Sequence, residues 1–69
     1  MGHSDISAFS RDLERQRDSL LKDLKGLEER RKKGEINEEQ YKEKRHDIER
    51  ALVEVLDRLA QMRFLMGQA

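Results

Sequence analysis

Residues Arg30 to Tyr41 read Arg-Arg-Lys-Lys-Gly-Glu-Ile-Asn-Glu-Glu-Gln-Tyr, a stretch that ends one helix and begins another within a few residues. Gly34 follows four cations. A glycine there takes the left-handed conformation that closes a helix, and the cations favour the negative C-terminal end of the helix dipole. Asn37 then caps a new start: its side chain accepts from the backbone N–H of Gln40, Gln40 reaches back in a capping box, and Ile36 staples onto Tyr41 across the first turn. The chain is therefore expected to be all-α, an antiparallel two-helix hairpin with a helix over 5–33, a turn over 34–37 and a helix over 38–66. Ser4 is the expected N-cap of the first helix, and residues 1–4 are read as a disordered start or a cloning remnant around Gly-His-Ser.

A hairpin of 69 residues has room for one small core, below the size at which a single chain stabilises itself comfortably. The usual reinforcements are missing, since there is no Cys for a disulfide or thiolate site and there are only two His. Self-association remains. With 35% apolar and 43% charged residues, no Pro and no Trp, the composition suits long helices or a coiled coil. Disorder is the competing class, and periodic apolar residues with interspersed charges argue against it. Fifteen basic and fifteen acidic residues cancel, so no overall field draws the chain to nucleic acid or anionic lipid. There is no long apolar run for a membrane span and no apolar signal region after the start, so the expected location is cytoplasmic.

The first helix carries Ile6, Phe9, Leu13, Leu20, Leu24 and Leu27 on one side, with Leu21 flanking and a polar gap at Gln16 and Arg17. Gly26 lowers helix propensity by about 1 kcal/mol, but its neighbours are strong helix formers. In the second helix Tyr41, Arg45, Ile48, Leu52, Val55, Leu59, Met62 and Met66 step by four and three as a heptad seam. Beside that seam lie Val53, Leu56, Ala60 and Phe64, with Ala51 and Leu65 widening the face. An antiparallel fold gives facing residues numbers that sum to about 71, with adjacent residues rising along each helix axis. That register sets Leu24 near Ile48, Leu20 near Leu52, Leu13 near Leu59, Phe9 near Met62 and Ile6 near Leu65. It also sets Arg17 near Glu54 and Arg31 near the Tyr41 ring.

One partner helix cannot cover more than half the circumference of the second helix. An apolar surface left over on a small protein marks an interface. The expectation is a homodimer in which two hairpins form a four-helix bundle. Leu52, Val53, Val55, Leu56, Leu59, Ala60, Met62 and Phe64 are the candidate interface residues, and Ile48, Leu52, Val55, Leu59 and Met62 are the expected core. A tetramer or a helical protein partner would serve the same surface.

Other motifs favour plainer readings. Glu43-x-x-His46 has the spacing of di-iron bundle ligands, yet both residues fall on outer heptad positions and the first helix offers no inward Glu, so no metal or cofactor is expected. The basic run at 30–33 suits a nucleic-acid or acidic-surface contact, which makes a small adaptor the alternative function. Acidic neighbours dilute that run, and helix-end charge with pairs such as Glu28–Lys32 and Glu29–Lys33 accounts for it. The mixed polar face of the C-terminal half does not fit a membrane-surface helix. No nucleophile stands beside a base in a pocket, so no catalytic residue is assigned and the chain is read as a non-enzyme.

Leu20-Leu21-x-x-Leu24, Leu27, then Gly34-x-Ile36-x-x-x-x-Tyr41 and Arg45 resemble the helical hairpins of the short C-terminal (SHOCT-like) domains over about residues 20–56. Those domains carry a Leu-rich helix, a Gly-x-Ile turn, an acidic stretch, an aromatic and a basic residue. Both helices here are longer. The resemblance implies an accessory hairpin that mediates oligomerisation or partner contacts without catalysis.

Overall fold

A computed structural model describes residues 3–65 and Gly67, and side chains from Ser7 onward within that range. Two helices, α1 over His3–Lys32 and α2 over Glu38–Leu65, pack against each other as an antiparallel hairpin. Among the described residues there is no strand. The hairpin measures 48 × 16 × 15 Å.

The turn forms from the local chemistry expected of it. Gly34 has φ 74°, its N–H donates to the Arg31 carbonyl at 3.0 Å, and the Glu35 N–H reaches back to the Arg30 carbonyl at 3.0 Å. This pair of bonds is a Schellman closure. The place usually taken by its apolar contact is held by an ion pair, Arg30 to Glu35 at 3.9 Å. On the far side the Gln40 N–H donates to Asn37 Oδ1 at 2.7 Å and the Asn37 N–H to Gln40 Oε1 at 3.2 Å, so both halves of the capping box are made. Ile36 is half-buried and Tyr41 buried, as a staple requires.

The helix limits differ slightly from those expected. α1 begins at His3, so Ser4 lies inside the helix and residues 3 and 4 are not a separate segment; Met1 and Gly2 are outside the described residues. Lys33 belongs to the turn, because the Schellman closure takes the last regular carbonyls. α2 ends at Leu65, and Met66 is outside the described residues.

The core follows the two stripes. Leu13 is 1% exposed and forms one cluster with Val55 and Leu59, against which Leu20 and Met62 pack. Leu27 and Tyr41 are buried nearer the tip, while Leu24, Ile48 and Leu52 are half-buried between. Leu13 thus meets Leu59 as the register requires. Toward the open end the seal loosens: Phe9 and Leu65 are exposed, although Met62 joins the core, and the Ile6 side chain is outside the described ones. The expected Arg17–Glu54 pair does not form. Arg17 instead holds its neighbour Asp18 at 3.0 Å, a partner that costs no reach across the helices.

Candidate interaction surface

Two features stand out on the hairpin, a polar lock at the tip and an apolar strip along α2. The lock is centred on Tyr41, which is 2% exposed. Its hydroxyl donates to the Glu28 carboxylate on α1 and accepts from Arg45 Nη1 at 3.2 Å. The Arg31 guanidinium lies 4.2 Å from the ring centroid and donates to both oxygens of Glu38, at 3.0 and 3.2 Å. Arg45 in turn reaches Glu49 at 3.1 Å. These bonds raise the pKa of Arg45, mainly through Glu49 and then Tyr41. That of Arg31 is raised mainly through Tyr41, with the Glu38 charge adding to it.

The expected stack of Arg31 on Tyr41 is present, and the Glu28 and Arg45 partners extend it. Arg45 was legible as the one polar member of the seam, four residues after Tyr41 and so on its face. Glu28 carried no such signal. Because Glu28 turns to Tyr41, the pair Glu28–Lys32 does not form, and neither does Glu29–Lys33. In the basic run, Arg30 and Arg31 are held by Glu35 and Glu38, and Lys32 and Lys33 are exposed.

The strip consists of Val53, Leu56, Ala60 and Phe64, continued by Leu65. All five are exposed, Val53 and Phe64 at 66% and 62%. They lie beside the seam on the side of α2 that α1 leaves open. The candidate interface residues therefore divide. Leu52, Val55, Leu59 and Met62 are covered to differing degrees by α1 of the same chain, whereas Val53, Leu56, Ala60 and Phe64 face outward. On α1, Leu21 is also 48% exposed.

Elsewhere the surface offers little for chemistry. Glu43 and His46 are exposed, and among the described residues no three His, Asp or Glu are grouped to hold a metal ion. A shallow open groove runs beside Gly26, bordered by Lys22, Asp23, Lys25 and Asp47, whose charges oppose one another. No helix among the described residues is long and apolar enough to cross a membrane. Compared with protein-family models, curated proteins and solved structures, the chain matches none of them.

Proposed function

We propose that this chain is a cytoplasmic, non-catalytic assembly module, a helical hairpin that pairs with a second copy to form a four-helix bundle. The observation that carries this reading is the exposed apolar strip Val53, Leu56, Ala60 and Phe64 beside a seam already buried by α1. A compact monomer of 8.2 kDa would expose about 4,500 Å². This one exposes 5579 Å². The excess of about 1,000 Å² goes with the elongated 48 × 16 × 15 Å shape, in which one helix leaves much of the other uncovered. The resemblance to SHOCT-like hairpins points the same way.

Sedimentation equilibrium across a wide concentration range tests the proposal. A well-folded helical monomer persisting above low micromolar concentration would sink it. Leu56→Asp places a charge in the strip and should shift the equilibrium to monomer; an unchanged mass would show that another face is used. Association driven by apolar burial should survive added salt. A steep loss with salt would favour a phosphate-binding adaptor acting through the basic tip instead.

A further inference from the structure

The charges on the edges of the strip specify how a second copy would lie on it. Residues one heptad apart share an edge of a helix, and Arg50 and Asp57 flank the strip on the side away from α1. Glu49 and Arg63 lie one heptad before and after Leu56, on the strip's edge nearer α1. All four are exposed. Among the described residues Arg50, Asp57 and Arg63 have no ion-pair partner, and Glu49 is paired only with Arg45. On each edge, then, the two charges are opposite in sign and displaced along the helix.

Such a pattern is self-complementary on both edges when the two helices run antiparallel. We propose that two copies pack strip to strip with their α2 helices antiparallel, on a two-fold axis level with Glu54 and Val55. This rests on the self-association reading above and adds its geometry. In an antiparallel pair each edge faces the same edge of the other copy. Arg50 then lies beside the partner's Asp57 and Glu49 beside the partner's Arg63, each pair occurring twice. The two edges centre the axis about 4 Å apart along the helix, and an axis level with Glu54 and Val55 lies between them, within the reach of long side chains. That register sets Val53 against the partner's Leu56 at the centre. The shallow groove along His46, Glu49, Arg50 and Val53 then becomes a four-residue hole, opposite the partner's Ala60. A parallel pair would instead set each edge against the partner's other edge, leaving Asp57 level with the partner's Leu56 and Arg63 level with the partner's Phe64, and would align the helix dipoles. The antiparallel bundle carries its two tips, each with a Tyr41 lock, at opposite ends. It is a rod with two separated heads, and a parallel bundle would have them side by side.

The chain has no Cys, so a single Glu39→Cys near the tip accepts one label per copy without touching the strip. The antiparallel register puts the two labels roughly 50 Å apart at the helical rise, against about 20 Å or less for parallel packing, and pulsed spin-label distance measurement separates the two. Arg50→Asp and Asp57→Arg should each weaken the dimer roughly tenfold by facing like charges, and the double exchange should restore it. A dimer with labels within about 20 Å, or a double exchange no better than either single, overturns the antiparallel arrangement and leaves self-association standing. Absence of any dimer at high concentration overturns both.

Discussion

Leu13→Ala, compared with Leu21→Ala, isolates what burial contributes to this hairpin. The two leucines share a helix, and the substitution removes the same atoms from each. Leu13 is 1% exposed against Val55 and Leu59; Leu21 is 48% exposed. Truncating a buried leucine costs about 2–5 kcal/mol, the spread reflecting how far neighbours collapse into the space left. Leu20 and Met62 border the cluster and are only partly buried, so both have room to move. A value near the lower end, about 2–3 kcal/mol, is expected. Leu21→Ala should stay below about 1 kcal/mol, since Leu and Ala differ little in helix propensity. A chain of this length has a total stability of only roughly 3–10 kcal/mol, so the first change removes a large part of it. Thermal unfolding followed by circular dichroism should show Leu13→Ala lowering Tm by about 10–20 °C, and Leu21→Ala by a few degrees. Both are compared at one protein concentration, because the proposed association would make Tm concentration-dependent. Equal shifts, or a Leu13→Ala protein within about 3 °C of the parent, would refute the assignment of Leu13 to the core.

Two glycines should respond with opposite signs. At Gly26 a Cβ meets nothing within 4 Å, so Gly26→Ala should stabilise by about 1 kcal/mol in urea unfolding. Gly34 has φ 74°, and Gly34→Ala should destabilise by about 1–2 kcal/mol in the same assay. Stabilisation at both positions would contradict the helix closure described. Tyr41→Phe keeps the ring under Arg31 but removes the hydroxyl between Glu28 and Arg45, and should cost about 1 kcal/mol, with no further loss when Glu28→Gln is added. Additive losses in that cycle would show that Glu28 acts independently of Tyr41.

What could be read from the sequence was what is decided locally or by period. Gly34, Asn37 and Gln40 act within one turn of themselves, so the Schellman closure and the capping box were visible in the order of residues. The heptad steps of α2 likewise placed Val55 and Leu59 on the buried seam. Ion pairs were less legible because several partners lie within reach of a long side chain and differ by less than about 1 kcal/mol when exposed. Arg17 therefore took the adjacent Asp18 in place of Glu54, and Glu28 left Lys32 for a buried phenol that fixes its position. The start of α1 shifted for a related reason: helix ends differ by one or two residues at little cost, and nothing at His3 stops the helix. The breadth of apolar surface on α2 was plain, but its division into covered and exposed halves required the azimuth of α1.

That azimuth depends on the tip. Apolar contact is non-directional, and a heptad seam shifted by one repeat would still bury leucines against leucines. Hydrogen bonds are directional, and the network of Tyr41 with Glu28, Arg45 and Arg31 is satisfied in one alignment of the two helices. The short capped turn permits no slack between them. Fixing α1 against α2 at the tip determines which residues near the open end are covered, so the same lock that sets Leu13 on Leu59 also turns Val53, Leu56, Ala60 and Phe64 outward. A hairpin whose tip lock was weakened would expose a less uniform strip, and the proposed pairing should then lose specificity before the helices lose stability.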